Sequence, residues 1–278
     1  MFDIVMDGII DTIKLFPYLF ITFLILEFIE LKINKKNEKV LIKYRKFGPF
    51  FGGLLGGLPQ CGFGAMAASL FSNHVISMGC VVAIFLATSD EMLPIMLSHN
   101  ISLLDVLKII SFKVVVGIIV GFIVDLLYKR KNDQITIQSE CLHEHCDCKE
   151  NGILFASLKH SIKILLFILF VNLLLNGILY YVGEDVVKDI LKSNNIITYF
   201  LASLVGLIPN CGSSVIITEL YLSNFISLGV LLSGLLTGSG IGILLLFKNN
   251  KKIVENISVL TIVYFVGVII GFIIDIII

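Results

Sequence analysis

Asp90 and Glu91 stand side by side in "ATSDEMLP" (87–94), inside an apolar run with no other charge between Val75 and Leu97. A carboxylate at the middle of a bilayer costs about 2.5–3.5 kcal/mol even on a lenient insertion scale, so it marks a site or pathway by default. Carboxylates ligate hard divalent cations and can also carry protons. Neighbouring residues of a regular helix point about 100° apart, so one acid would bind substrate while the other carries a proton. If the run unwinds near Pro94, both would face one cavity; if the pair lies near the outer end of the run, water would solvate it.

Other polar groups occur in pairs. "LPQCG" (58–62) offers Gln60 and Cys61, and "IPNCGSS" (208–214) offers Asn210, Cys211, Ser213 and Ser214. Amide, hydroxyl and thiol groups of this kind could ligate a metal, although a repeated Cys is also a small residue that packs well. Glu219, eight residues past Cys211, is either a third acid of the same cavity or an outer-end residue. "TGSGIGILL" (237–245) matches the acid stretch in the second half but has Gly240 and Ile241 in place of the acids. Its glycines would either free backbone carbonyls as ligands or let helices pack closely. In "SECLHEHCDCKE" (139–150), Cys141, His143, His145, Cys146 and Cys148 are dense enough to capture a soft or borderline metal, but they fit no standard zinc-finger spacing. Glu27, Glu30, Asp125 and Asp275 fall at span ends, and His74, His99 and His160 at loops or boundaries.

The elements that must position these groups lie in a membrane. Hydrophobic residues make up 57% of the 278, charged residues only 15%, and mean hydropathy is +0.98. With 21 basic and 21 acidic residues, the net charge gives no reason to expect a nucleic-acid partner. The start, "MFDIVMDGIIDTIK", has three Asp and one Lys, the reverse of a cleavable leader, so the first span is expected to be retained. Apolar runs fall at about 15–31, 47–72, 75–97, 103–127, 161–182, 198–222, 225–247 and 257–277.

Residue n matches residue n plus 150 without a gap. "GLLGGLPQCGFG" from 53 aligns with "SLVGLIPNCGSS" from 203, "VISMG" from 75 with "FISLG" from 225, and "VGIIVGFIVD" from 116 with "VGVIIGFIID" from 266. Basic loops at 32–46, 129–131 and 248–252 should be cytoplasmic, whereas the acidic loop from 183 should be external. Three full crossings between 46 and 129 would put two basic loops on opposite faces. Making 47–72 a re-entrant hairpin removes the conflict, because Phe47–Leu58 spans only about 18 Å, roughly half a membrane. Pro59 and Gly62 suit a tip at mid-depth, although Pro59 and Pro209 could instead merely kink full helices.

The expected fold class is therefore an all-α polytopic membrane protein of two inverted repeats, each with three full spans and a re-entrant helical hairpin, ten helical segments in all. Its parts are a first repeat (1–131), a Cys/His-rich cytoplasmic linker (132–156) and a second repeat (157–278). Both termini would be external in a multi-pass protein of the cell membrane. Inverted repeats with broken helices are the plan of secondary transporters. Gly117 with Gly121, and Gly267 with Gly271, fit packing within one chain or in a homo-oligomer.

On "GGLPQCGFGAMAASLFSN", "ATSDEMLP" and "GLIPNCGSSVIITELY", the chain resembles the bacterial family of ten-helix heavy-metal exporters, whose members are variously labelled arsenic efflux permeases or manganese transporters. The resemblance covers essentially the whole chain and implies export of a metal or metalloid ion. It points to Gln60, Cys61, Asp90, Glu91, Asn210 and Cys211 as site residues. Carboxylates and amide carbonyls favour Mn²⁺, whereas trivalent arsenic wants two or three thiolates, and only Cys61 and Cys211, with Cys80 as a third candidate, are near the inferred centre. No nucleotide motif is present and no cofactor is expected, so a proton-coupled carrier through Asp90 or Glu91 is the leading expectation. A membrane enzyme with a Cys nucleophile lacks a His base within a span near either Cys. A metal sensor or scaffold working through the 139–150 loop is the alternative of another class.

Overall fold

The structure is a computed structural model that describes residues 20, 24, 47–58, 61–88, 92–99, 101–128, 158, 162, 166, 169, 196–209 and 211–277. The linker and nearly all of the 15–31 and 161–182 runs lie outside them.

The described residues form helices and connecting turns, with no strand among them. The first half holds α1 (Gly48–Gly56), α2 (Cys61–Ser72), α3 (Met78–Ala87), α4 (Met92–Ser98) and α5 (Leu103–Leu127). The second holds α6 (Ile196–Gly206), α7 (Cys211–Leu222), α8 (Leu228–Thr237), α9 (Ile241–Asn249) and α10 (Ile253–Ile277). Three of the five pairs, α2/α7, α3/α8 and α5/α10, begin and end 150 residues apart, the offset seen in the sequence.

The same local devices recur at that offset. Ser77 and Ser227 cap α3 and α8, accepting from the backbone N–H groups of Cys80 at 3.2 Å and Val230 at 3.3 Å. Ser77 Oγ donates to Asp125 Oδ2 at 2.6 Å, and Ser227 Oγ donates to Asp275 Oδ2. The other carboxylate oxygens accept from Gly79 N and Gly229 N, both at 2.8 Å. Each Asp thus places a negative charge at a helix N-terminus, where the dipole favours it, and clasps the start of α3 to α5 or of α8 to α10. Just before these caps, His74 and Asn224 take the left-handed φ values of 61° and 57°.

Glycines set how closely the helices approach. Gly121 faces the Gly79 carbonyl, with its Cβ position 2.6 Å from that oxygen, and Gly271 faces Gly229 in the same way. Gly117 and Gly267 face the carbonyls of Ala83 and Ser233. These small-residue pairs are therefore used for packing inside the chain.

Among the described residues, three stretches are long and apolar enough to cross a membrane: Leu103–Leu127, Leu228–Asn249 and Ile253–Ile277, with mean hydropathies of 2.4, 2.1 and 2.8. The protein is an all-α polytopic membrane protein. α3 is buried along its whole length, as is α8 from Gly229 to Thr237, so these two form the inner layer. α5 and α10 lie outside them and leave side chains such as Leu126, Leu104 and Val254 exposed.

The two ends of the α1–α2 pair lie together. A Cβ on Gly48, at the start of α1, would lie 3.5 Å from Ser77 Oγ, and α2 ends at Ser72, shortly before that same serine. In the second half, Tyr199 near the start of α6 donates at 2.8 Å to Asp275, the carboxylate that also clasps Ser227.

One expectation needs correction. The runs 75–97 and 225–247 read as continuous spans, but each is split, between Ala87 and Met92 and between Thr237 and Ile241. In the second split Gly240 adopts φ 53°, ψ −138°, a conformation essentially confined to glycine. Each repeat therefore has two interruptions rather than one.

Candidate functional site at the four chain breaks

The four interruptions are marked among the described residues by the non-helical 57–58, 88, 207–209 and 238–240. Both first breaks open with the same turn: Gly57 N bonds to Gly53 O and Leu58 N to Leu55 O, matched by Leu207 N to Ser203 O and Ile208 N to Val205 O. The end of each entering helix lies beside the end of the inner helix of its own repeat. The Cβ position of Gly56 is 2.7 Å from Ile84 O and 3.0 Å from Ala87 Cβ, and Gly206 abuts Gly234 O and Thr237 Oγ1. Both clusters sit at the middle of a long helix: Gly57 abuts Val114 of α5, and the Cβ position of Gly267 on α10 is 2.5 Å from Thr237 Cγ2.

One side chain ties the two clusters together. Lys113 of α5 is completely buried, and its Nζ donates to the carbonyls of Thr88, which follows α3, and Leu235, in the last turn of α8, the latter at 2.8 Å. The repeats also cross over: α2 packs on α9, α7 on α4, and α3 on α8. The α2–α9 contact runs glycine on glycine, with the Cβ position of Gly242 3.0 Å from Gly64 O and that of Gly64 3.4 Å from Ser239 O.

Ser239, only 3% exposed within the fourth break, has no hydrogen-bond partner for its hydroxyl. Nearby hydroxyls are engaged: Thr88 Oγ1 with Ile84 O at 2.7 Å, Thr237 Oγ1 with Gly234 O at 2.9 Å, and Ser203 Oγ with Ser233 O at 3.3 Å. An unpaired hydroxyl at such depth is costly unless a ligand or water meets it.

Of the residues singled out in the sequence, Gln60, Asp90, Glu91 and Asn210 lie outside the described residues, as do Cys141, His143, His145, Cys146 and Cys148. Those that flank the acid pair, Thr88 and Met92, are both buried. Cys61 and Cys211 are the first residues of α2 and α7, the helix position where the dipole favours negative charge. Ser213 is buried and donates to Ile208 O at 3.3 Å, closing the second tip; Ser214 is half-buried. Glu219 is exposed, about two turns along α7 from the tip. Cys80 is not at the centre, because it packs in the first turn of α3 against Gly48 and Gly52. Among the described residues no three His, Cys, Asp or Glu side chains come together as a metal site.

A profile of the family described as "Putative, 10TM heavy-metal exporter" matches residues 2–200 and 170–278. The chain belongs to this family. No curated protein and no solved structure matches it. Membership in the heavy-metal exporter family makes the chain a multi-pass membrane transporter with a metal ion as substrate, and the family is not a class of enzymes.

Lys113 is the residue the sequence reading passed over. Its signal is present in "IISFKVVVG" (109–117), one cation in the middle of a strongly apolar helix. Ser239 was visible only as part of a glycine-rich stretch.

Proposed function

We propose that the protein is a secondary carrier that exports a divalent heavy-metal cation, with Mn²⁺ as the favoured cargo and protons as the exchanged ion. The observation that carries this reading is the convergence of four chain breaks, two from each repeat, at the level of the middle of α5 and α10. Irregular backbone at that depth is tolerated where it is enclosed by protein or lines a watery cavity, and transporters place substrate there.

Asp90 and Glu91 supply the charge in this reading, one as ligand and one as proton carrier. The burial of Thr88 and Met92 on either side supports a position away from the membrane surface. Gln60 and Asn210, with Ser214 and the free hydroxyl of Ser239, add oxygen ligands suited to Mn²⁺. Ser213 shapes the second tip.

The same geometry supports an inverted arrangement with re-entrant hairpins. α5 ends at Leu127, just before the basic 129–131, and α10 begins at Ile253, just after the basic 248–252; both those ends are assigned to the cytoplasm. α1 and α3 start beside Asp125 at the cytoplasmic end of α5, whereas α6 and α8 start beside Asp275 at the external end of α10. Each pair then reaches half-way. The linker 132–156 is cytoplasmic, both termini are external, and Glu219 lies on the way back to the outer face, where it would attract cations.

Arsenite is the second reading, favoured by Cys61 and Cys211 opening symmetry-related helices. Elemental analysis of cells lacking their own exporters separates the two. Expression should lower cellular manganese severalfold and raise tolerance to it; a fall in arsenic with manganese unchanged would replace the first reading with the second.

A further inference from the structure

Most glycines at the breaks are explained by packing or by backbone conformation. A Cβ on Gly56 or Gly242 would lie 2.7 or 2.8 Å from its nearest neighbour, Gly206 abuts Gly234 O, and Gly240 has φ 53°. Gly238 is different. Its φ of −71° suits any residue, and the nearest atoms to its Cβ position are 3.5, 3.5 and 3.9 Å away, ordinary contacts that an alanine would satisfy. Those three atoms are all backbone carbonyl oxygens: Gly234 O and Leu235 O from the last turn of α8, and Gly206 O from the end of α6. Gly238 is also partly exposed although Thr237 and Ser239 on either side are buried, and Ser239 carries the hydroxyl that has no partner.

The first repeat treats the same position in another way. The residue equivalent to Gly238 is Thr88, whose hydroxyl donates at 2.7 Å to Ile84 O, the equivalent of Gly234 O. In the second repeat that carbonyl is capped from one residue earlier, by Thr237 Oγ1 at 2.9 Å. The cap is thus kept while position 238 is bare, and the carbonyls at the ends of α6 and α8 are approachable there.

The donor set favours a hydrogen-bond donor over a bare metal ion. Two of the three oxygens already accept, Gly234 O from Thr237 Oγ1 and Leu235 O from Lys113 Nζ, so they offer their remaining lone pairs. Spacings of 3.5–3.9 Å about the Cβ position exceed a metal–oxygen bond of about 2.0–2.6 Å by more than they exceed an O–H···O contact of about 2.5–3.0 Å.

We propose that Gly238 opens a notch in the substrate path where the carbonyls of Gly206, Gly234 and Leu235 receive an O–H group carried by the cargo: a water ligand of a hydrated divalent metal ion, or a hydroxyl of arsenite in its neutral trihydroxide form. The second repeat, with Gly240 and Ile241 in place of the acid pair, meets the cargo through this notch. The inference rests on the carrier reading and names how the two repeats divide the work: charge from the first, hydrogen-bond acceptors from the second.

The test uses Gly238→Ala and Gly238→Thr, the latter restoring the first repeat's residue. Gly238→Ala should unfold at or above the wild-type temperature, because alanine fits the backbone and loses less freedom on folding. Flux into proteoliposomes is then measured with Mn²⁺ and with arsenite separately. For whichever of them the wild type moves, KM should rise severalfold in Gly238→Ala and about tenfold or more in Gly238→Thr, the equivalent of one lost hydrogen bond. Movement of Mn²⁺ identifies the O–H group as metal-bound water, and movement of arsenite as its own hydroxyl. Wild-type KM in both variants would overturn the notch, as would unfolding of Gly238→Ala well below the wild type, since the glycine would then serve packing. If the wild type moves neither, the carrier reading fails and binding decides. A rise in unfolding temperature with Mn²⁺ or arsenite that is lost in Gly238→Thr would keep the notch, and no such rise in the wild type would overturn it.

Discussion

Lys113 of α5 and Leu235 of α8 are joined by a 2.8 Å hydrogen bond that links a long outer helix of the first repeat to the inner helix of the second. The bond lies where the inner helices stop, so a buried charge sits at the point where the duplicated halves meet. A continuous apolar span could not provide it, since its carbonyls would be used within the helix. The breaks expose backbone at this level, and the fold brings four of them together.

The paired clasps should matter in both repeats. Asp125→Ala and Asp275→Ala each remove charge-assisted bonds from a serine hydroxyl and a backbone N–H, and each should lower stability by about 1.5–3 kcal/mol. Thermal unfolding in detergent measures both losses; equal stability of both variants and the wild type would show that the clasps contribute nothing.

Glycine contacts make a second, independent prediction. Gly121→Ala and Gly271→Ala place a methyl group on the carbonyls of Gly79 and Gly229 and should cost about 1–3 kcal/mol by overpacking. Gly240→Ala should cost a similar amount, about 1–3 kcal/mol, through backbone strain. Leu126→Ala, at an exposed side chain, should be close to neutral in the same unfolding assay.

Much of this architecture was legible. The 150-residue offset is carried by residues that do the same job twice, such as Ser77 and Ser227, or Gly121 and Gly271, so matching residues meant matching helices. The Pro-x-Cys-Gly stretches identified the first break of each repeat because a proline followed closely by a glycine concentrates two helix-weakening residues at one point. The second breaks were harder. "ATSDEMLP" and "TGSGIG" interrupt apolar runs only briefly, and hydropathy averaged over a span does not register three residues. Lys113 was hidden for the same reason: the span around it keeps a mean hydropathy of 2.4 despite the charge. Cys80 was offered as a third thiol near the inferred centre, whereas it sits in the first turn of α3, about two turns from the end of that helix at the break.

The linker supplies a prediction about organisation. Deleting 139–150 should leave most of the transport rate intact, which a metal sensor acting through Cys141, His143, His145, Cys146 and Cys148 would not survive. A membrane-impermeant maleimide should reach Cys141, Cys146 and Cys148 only from the cytoplasmic side. Labelling of those cysteines in intact cells would contradict the inverted arrangement.

The most direct measurement is metal flux into proteoliposomes, comparing Mn²⁺ with arsenite under an imposed pH gradient for wild type, Asp90→Asn and the double variant Cys61→Ser/Cys211→Ser. Saturable Mn²⁺ movement driven by the gradient, lost in Asp90→Asn and largely kept in the double variant, is the predicted result. Arsenite movement that survives Asp90→Asn and disappears in the double variant, with Mn²⁺ immobile throughout, would contradict a carboxylate-centred cation carrier.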